Sequence, residues 1–245
     1  MTATKAREEI LGSVRRALGR DAKPEALRAK ARVWEPSELE NLAAEISRDC
    51  EQRRGKLIEQ FESELTRVGG LFHRASSSES AARYIDHVAS ERQATSIVSW
   101  DVPLDVPLIE GVDLRKRLEQ KGIQLTTETS DGEFLRVAAR SDIGLSGVDY
   151  ALADTGTLVL LTGKGRARSI SLLPPVHIAL LKPQQVIPGL DALFPLLRHE
   201  RARANEDLSS AITFITGPSR TADIELTIVV GVHGPQQLHV VLLEN

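Results

Sequence analysis

Residues 94–127 read ATSIVSWDVPLDVPLIEGVDLRKRLEQKGIQLTT, and this stretch decides the fold class. The run Ala94–Trp100 is rich in β-branched and apolar residues, which is typical of a buried strand. Residues 113–121 are typical of a short helix, and Ile123–Thr127 predicts a second strand. A strand, a helix and a strand in this order predict a β-α-β unit of a parallel sheet.

The same alternation continues on both sides of this unit. Further strands are predicted at 71–72, 148–153, 157–161, 176–181, 211–216 and 238–243, and further helices at 76–89, 133–141 and 190–204. Several of the strand runs are apolar throughout, which indicates strands that are covered on both faces. We therefore expect an α/β fold with a doubly wound, mostly parallel sheet. Ser76 and Glu79 have the spacing of a capping box at the start of the helix at 76–89.

Residues 1–69 are helical in pattern, charged and poor in β-branched residues. A long helix is predicted from Ser37 to Val68, ended by Gly69-Gly70, and it would be roughly 45 Å long. Such a helix either packs on its own domain or reaches another subunit, and we slightly prefer the second alternative. The expected organisation is an N-terminal helical arm over 1–69 and an α/β domain over 70–245.

The charge balance and the scarcity of aromatic residues exclude a nucleic-acid-binding role. The 245 residues include 31 Lys and Arg against 34 Asp and Glu, so the formal net charge is −3. Nucleic-acid-binding proteins need clustered positive charge and rings on which bases stack. Aromatic residues make up only 4% of this chain.

Cysteine content and hydropathy indicate a cytoplasmic protein without its own cluster. The chain has one cysteine, Cys50, so it cannot form an internal disulfide, a Cys-rich zinc site or a thiolate-held iron–sulfur cluster. Residues 1–10 lack the apolar core of a signal peptide. The longest charge-free stretch, Leu226–Leu243, is interrupted by glycines and a proline, so it predicts a pair of strands and not a membrane span.

Three loops that follow predicted strands carry the candidate site residues, because ligands of open α/β sheets bind beyond the carboxyl ends of strands. The first loop is Asp154-Thr155-Gly156-Thr157. It combines a carboxylate and two hydroxyls with a glycine, beside which a ligand can approach the backbone closely. A tight turn explains the same residues, and from this loop alone the turn is the preferred interpretation.

The second loop, Gly163–Ser169, carries three cations beside two glycines. The cations are Lys164, Arg166 and Arg168. Together with the Ser169 hydroxyl they predict a site for a phosphate or a carboxylate, and the alternative is a solvated loop. Neither a Walker motif nor a complete dinucleotide fingerprint is present.

The third loop, Gly217–Glu225, follows a buried strand with unusually dense polar residues. After Gly217-Pro218 come the polar residues Ser219, Arg220, Thr221, Asp223 and Glu225. If Thr221 or Asp223 caps a short helix, the free backbone amides form an anion site that Arg220 completes. Asp223 or Glu225 would then hold Arg220 or move a proton. We prefer this functional interpretation to simple capping.

Three side chains are candidate acids or bases: Asp154, Glu225 and His233, the last of which lies between Gly231 and Gly234. His177 lies within an apolar strand and is interpreted as a core histidine. The remaining histidines have no partner at metal-ligand spacing, so we expect no metal site. These histidines are His73, His87, His199 and His239.

Five segments resemble the LUD-domain family, in the family's order along the chain. They are Gly147–Leu160, Leu172–Ala179, Gly217–Glu225, Gly231–Pro235 and Leu238–Leu243. The resemblance implies a sheet of the NagB/RpiA/CoA-transferase type. It also implies a part in oxidising L-lactate to pyruvate, beside two partner proteins with Cys-rich and iron–sulfur segments. The family more often has Glu at the position of Asp154.

Three functions are therefore considered. The first is a non-cluster subunit of a lactate-oxidising system that binds a small carboxylate and holds no cofactor itself. The second is a stand-alone enzyme acting on a phosphorylated sugar, a CoA thioester or a folate. The third is an assembly protein without an active site, in which the predicted helix Ser37–Val68 makes the contacts. Self-association of the chain is compatible with all three.

Overall fold

The computed structural model describes residues 11–13, 35–100, 109–128, 133–204, 209, 211–222 and 228–244. The chain divides into two compact units, Met1–Leu39 and Glu40–Asn245. In the first unit the described residues are 11–13, which are helical, and 35–39, where a long helix begins.

The helices and strands alternate along the chain. The helices are α1 (Pro36–Arg67), α2 (Ser78–Glu91), α3 (Leu114–Glu119), α4 (Phe134–Arg140), α5 (Ser169–Leu172) and α6 (Leu190–Ala204). The strands are β1 (Leu71–Ala75), β2 (Ser96–Ser99), β3 (Gln124–Thr127), β4 (Ile143–Gly147), β5 (Tyr150–Leu152), β6 (Thr157–Leu161), β7 (Val176–Leu181), β8 (Val186–Ile187), β9 (Ile212–Ile215), β10 (Arg220–Ala222), β11 (Ile228–Val230) and β12 (Gln237–Leu243).

The main sheet has six strands in the order β1-β12-β7-β4-β2-β3, and every neighbouring pair is parallel. The chain passes from β2 to β3 on one side and then returns to place β4 on the other side of β2. The sheet is therefore doubly wound, with its topological switch point between β2 and β4. The predicted α/β fold with a mostly parallel sheet is confirmed, and its assignment to the NagB/RpiA/CoA-transferase type stays a prediction.

Alternate residues of the central strands enter two hydrophobic clusters, one on each face. On β7, Val176, Ile178 and Leu180 belong to one cluster, whereas Ala179 and Leu181 belong to the other. This division follows from the two-residue period of a strand. Because both faces are buried, the strand is apolar throughout, which is the property that made it recognisable in the sequence.

A second sheet makes the fold less uniform than expected. Its order is β8-β5-β6-β9, and the β5–β6 and β6–β9 pairs are antiparallel. The predicted strands at 148–153 and 157–161 therefore form a hairpin outside the main sheet. The central strand β4 was not predicted at all, because Gly144, Ser146 and Gly147 dilute its apolar pattern.

Helix α1 is part of the core of the α/β unit. Leu57, Ile58, Phe61 and Leu65 are buried in the same cluster as residues of both sheets. The apolar stripe is thus covered by this chain, which is the alternative that the sequence interpretation ranked second. The helix ends where predicted: Gly69 has φ +88, and the Gly70 amide donates to the Leu65 carbonyl at 2.9 Å.

Two local predictions need correction. The N-cap of α2 is Ser77 and not Ser76, because the Ser77 hydroxyl accepts a hydrogen bond from the Ser80 amide at 3.1 Å. Residues 220–222 form a strand that pairs with β11, so no short helix starts at Thr221. The helical anion site that was expected there is therefore absent from the described chain, and Asp223 lies outside the described residues.

Candidate functional site

The parallel sheet has two chemically distinct edges, and the predicted site residues divide between them. The carboxyl edge is where β2, β3 and β4 end, and the amino edge is where β1, β7 and β12 begin. Ligands of doubly wound sheets bind at the carboxyl edge, beside the switch point. The position of each candidate relative to these edges therefore matters more than its residue type.

The first and third candidate loops meet at the carboxyl-terminal end of α1, which precedes β1 at the amino edge. The Thr157 hydroxyl lies 2.8 Å from the Thr216 hydroxyl and joins the two loops. Gly156 has φ +63, and a Cβ there would overlap the backbone at Leu65. A Cβ at Gly217 would lie 2.7 Å from the Val68 carbonyl oxygen. We call this group, residues 154–157 and 216–220 with the end of α1, the helix-end cluster.

Arg220 lies in the helix-end cluster with an exposed side chain. Its guanidinium packs so closely against Gly69 that a Cβ at that glycine would overlap Nη2. A cation beside the last carbonyls of a helix is stabilised by the helix dipole. Arg220 therefore has a structural partner in α1 whether or not it also binds an anion.

The neighbours of Arg220 are held by main-chain bonds. The Ser219 amide donates to the Pro235 carbonyl at 2.9 Å, and the Gly231 amide donates to the Ser219 carbonyl at 2.9 Å. Pro218 contributes to the same close packing around Gly69. His233 is exposed in the loop that these bonds fix. The 231–235 loop thus lies at the amino edge together with Arg220.

The remaining proton-handling candidates are Asp154, which begins the helix-end cluster, and Glu225. The Asp154 carboxylate packs against Gly189, which immediately precedes α6, and its Oδ1 accepts a hydrogen bond from the Thr155 hydroxyl at 3.2 Å. A carboxylate beside a helix start is favourable because of the helix dipole. Glu225, like Asp223, lies outside the described residues, so neither is located.

The second candidate loop lies at the opposite, carboxyl edge of the sheet. The Ala167 amide donates at 2.6 Å to the carboxylate of Glu128, the residue that follows β3. The Arg166 guanidinium lies 5.1 Å from the ring centroid of Trp100, the residue that follows β2, and donates at 2.6 Å to Asp149, which lies just beyond β4. Arg168 and Ser169 are therefore not part of the helix-end cluster.

A small pocket opens at this edge, and we call it the carboxyl-edge pocket. Its polar or aromatic lining residues are Trp100, Thr162, Arg166, Arg168, Ser171 and Thr213. About 10 Å³ is open to the centre of a water molecule, which is room for about one water. Because Trp100 follows β2 and Asp149 follows β4, the pocket lies at the switch point of the sheet.

Two polar groups of this pocket lack protein partners among the described residues. The Thr162 hydroxyl oxygen is buried and has no hydrogen bond there, although the Thr162 amide and carbonyl are both bonded, to Ala211 and Ser209. The exposed Arg168 guanidinium makes no ion pair with the described residues, whereas Arg166 is engaged by Asp149. An unbonded buried hydroxyl is costly, so a water or a ligand is expected beside it.

Sequence reasoning singled out Arg166, Arg168 and Ser169 but missed Trp100 and Thr162. The only sequence signal for Trp100 was its place at the end of a predicted strand. Thr162 ends the run that contains β6 and carries no motif. Thr162 lines the carboxyl-edge pocket only because β9 and residues 163–171 pack around it, and the sequence does not show this packing.

The buried histidines are core residues, as predicted for His177. Its Nε2 lies 2.9 Å from the Ser146 hydroxyl, and burial lowers its pKa to about 3. His239 Nδ1 lies 3.0 Å from the Tyr84 hydroxyl, and burial together with the nearby Arg92 charge lowers its pKa to about 4. Within the described chain no three His, Cys, Asp or Glu side chains are grouped to hold a metal ion.

Three further observations concern features other than the two candidate sites. The side chain of Cys50 is buried and has no disulfide partner. Of the helices that the structure describes, none combines the length and the hydropathy that a membrane crossing requires. The peptide bond between Pro174 and Pro175 is trans.

Comparison with known proteins gives consistent results. The chain is 36% identical to Lactate utilization protein C of Halalkalibacterium halodurans over 161 aligned residues, and this alignment covers 66% of this chain and 68% of that protein. It is 33% identical to the uncharacterized protein YkgG of Escherichia coli over 243 aligned residues, and this alignment covers 98% of each protein. A solved structure of a DUF162 family protein from Deinococcus radiodurans covers 78% of this chain and 98% of that chain, with a TM-score of 0.51 and 19% identity, and this likeness shows the fold alone.

The model of the LUD domain matches residues 58–243. The match begins inside α1 and ends with β12, so it contains the buried half of α1, both sheets and both candidate sites. It spans most of the chain, and the resemblance that five sequence segments indicated is confirmed. The chain belongs to the LUD domain family.

Proposed function

We propose that this chain is a non-cluster subunit of a system that oxidises L-lactate to pyruvate, and that it holds a small carboxylate at the carboxyl-edge pocket. The metabolic part of the proposal is supported by relatives that carry the name Lactate utilization protein C. The location is supported by geometry. Arg168 is a cation without an ion-pair partner among the described residues, and it lines a pocket at the switch point.

Arg168 carries the proposal because its guanidinium lines a pocket at the switch point and makes no ion pair with the described residues. Arg166 is bonded to Asp149 and lies over Trp100. Arg220 also makes no ion pair with the described residues, but it packs on the end of α1 at the amino edge, away from the switch point. A guanidinium binds a carboxylate through two parallel hydrogen bonds, and an unengaged one does so without breaking an existing pair. The helix-end cluster remains the alternative location.

The chain would hold the substrate and leave the electron transfer to its partners. Oxidation of lactate removes two electrons and two protons, so it needs a base and an electron acceptor. The carboxylates beside the carboxyl-edge pocket already accept hydrogen bonds: Asp149 from Arg166, and Glu128 from the Ala167 amide. Two partner proteins with iron–sulfur clusters would supply the acceptor, since this chain has one cysteine, which is buried.

The binding part is tested by thermal unfolding with L-lactate, pyruvate and chloride at equal ionic strength. A ligand at 100 times its Kd stabilises a protein by about 2.7 kcal/mol. We expect lactate or pyruvate to raise the Tm of the wild type and of Arg220→Gln, but not that of Arg168→Gln. Loss of the shift in Arg220→Gln alone would place the site at the helix-end cluster. A shift with CoA or sugar phosphates and none with lactate or pyruvate would favour a stand-alone enzyme of the same fold.

The metabolic part needs its own test. A strain that lacks this chain should fail to grow on L-lactate, and the tagged chain should copurify with two proteins that contain iron–sulfur clusters. Complementation with the wild-type chain should restore growth. Normal lactate oxidation in the deletion strain would contradict the proposal.

A further inference from the structure

We infer that Thr162 determines specificity at the carboxyl-edge pocket by hydrogen bonding to the oxygen on C2 of a short 2-hydroxy or 2-oxo acid. This inference rests on the proposed function, since it assumes that Arg168 receives the carboxylate of the same molecule. It adds a second contact, which distinguishes lactate and pyruvate from plain carboxylic acids of the same length.

The first support is the hydrogen-bond inventory of Thr162. Its amide donates to the Ala211 carbonyl at 3.1 Å, and its carbonyl accepts from the Ser209 hydroxyl at 2.5 Å. The side-chain oxygen is the one polar atom of this residue without a described partner, and it is buried. A threonine hydroxyl can both donate and accept, so it can bind either a C2 hydroxyl or a C2 carbonyl.

The second support is the size of the space. The interior of the pocket has room for about one water molecule, which is room for a single oxygen atom and not for a carbon chain. A ligand held at the mouth by Arg168 can therefore place only a small polar substituent inside. In a three-carbon 2-hydroxy acid the hydroxyl is bonded to the carbon next to the carboxylate, so the two groups lie close enough to reach neighbouring partners.

The third support is the rigidity of the surrounding wall. The Arg166 guanidinium is fixed between the Trp100 ring and the Asp149 carboxylate, which itself also accepts a hydrogen bond from the Leu161 amide at 2.7 Å. Trp100 is buried, with 4% of its surface exposed. A longer or branched chain would have to displace these contacts, so size selection and the Thr162 hydrogen bond act together.

The test compares L-lactate with propionate, which has the same three carbons and carboxylate but no oxygen on C2. We expect calorimetric titration of the wild-type chain to give a Kd for lactate at least about tenfold lower than that for propionate, because a site that hydrogen bonds to a substrate hydroxyl discriminates against the analogue without it. Thr162→Val should remove this preference and leave the Kd of propionate unchanged. Thr162→Ser should retain it, and Thr126→Val is the matched control that should behave as the wild type, since Thr126 is half-buried on β3 and belongs to neither candidate site.

The outcomes separate the two proposals. Equal binding of lactate and propionate by the wild type overturns the role of Thr162 while leaving the carboxylate site intact. A preference that survives in Thr162→Val also overturns it. Binding of neither acid removes the carboxylate site and the inference with it. If Thr162→Val does not fold, as judged by circular dichroism, Thr162→Ala replaces it with the same expected result.

Discussion

The two buried histidines predict a steep loss of stability in mild acid. In the folded chain the pKa of His177 is about 3 and that of His239 about 4, against an ordinary value of 6.5, because burial disfavours the charged imidazolium. The unfolded chain therefore binds more protons than the folded chain below about pH 6.5. The free energy of unfolding falls as the pH drops through this value, and the loss is complete below the folded pKa values.

The size of the loss follows from these pKa values. Between pH 7 and pH 5 each histidine costs about 2 kcal/mol, so the two together cost about 4 kcal/mol. For a chain of this length that corresponds to a decrease in Tm of about 8–16 °C. Buried Asp and Glu pairs contribute mainly at lower pH, so the window from pH 7 to pH 5 isolates the histidines.

Urea unfolding at pH 7 and pH 5 and constant ionic strength measures the effect directly. In His239→Gln the difference between the two pH values should shrink by about 2 kcal/mol, because the contribution of His239 is gone. Burial also lowers the pKa of His73, so His73 contributes in the same direction in the wild type and in the variant. The control is His233→Gln, since His233 is exposed in the 231–235 loop and does not contribute to the shift of His177 or His239, and its pH difference should match that of the wild type. A wild-type difference below about 1 kcal/mol, or an unchanged difference in His239→Gln, would refute the reasoning.

Two further predictions concern packing and are checked by urea unfolding at pH 7. Gly144→Ala should destabilise the chain by about 2–4 kcal/mol, because the new Cβ would overlap the Ile170 carbonyl oxygen and lie 3.0 Å from the carbonyl carbon. The control is Gly55→Ala on α1, which should be neutral or stabilising because no neighbouring atom lies within 4 Å of the new Cβ. Phe61→Ala should cost about 3–5 kcal/mol, since Phe61 has 0% of its surface exposed, while Phe194→Ala, 47% exposed, should cost less than about 1 kcal/mol. Equal costs within either pair would contradict the packing described here.

Local sequence patterns predicted most of the helices and strands, because the hydropathy of a segment reflects which of its faces are buried. The strand β7 is buried on both faces and is therefore apolar at every position, and the end of α1 is marked by a glycine that adopts a positive φ. The central strand β4 escaped detection for a physical reason. Gly144 is small because the backbone of Ile170 lies against it, and Ser146 is polar because it bonds to His177. Both residues are therefore determined by contacts with segments that are distant in the sequence.

The candidate site was predicted only in part for a similar reason. The sequence identified cation-rich and hydroxyl-rich loops, but which edge of the sheet a loop occupies depends on strand order and direction. Arg220 was preferred because it follows a strand that was predicted to be buried. That strand, β9, is only partly buried, with 43% of the Phe214 surface exposed, and it belongs to the second sheet, where it pairs antiparallel with β6. The rule that ligands bind at carboxyl ends applies to parallel strands. The loop of Arg168 also follows a strand of the second sheet, β6, but its contacts with Trp100, Asp149 and Glu128 place it beside the carboxyl ends of β2, β4 and β3.

The sequence by itself determined the alternation of helices and strands, the extent of α1, the core role of His177 and the family, because each depends on residues that are close together along the chain. Only the tertiary structure decided that α1 packs on its own domain, that residues 220–222 form a strand, and that Arg168 and Arg220 lie at opposite edges of the sheet. These outcomes depend on pairings between distant segments. Such pairings are selected by the burial of the whole core, and no single segment encodes them.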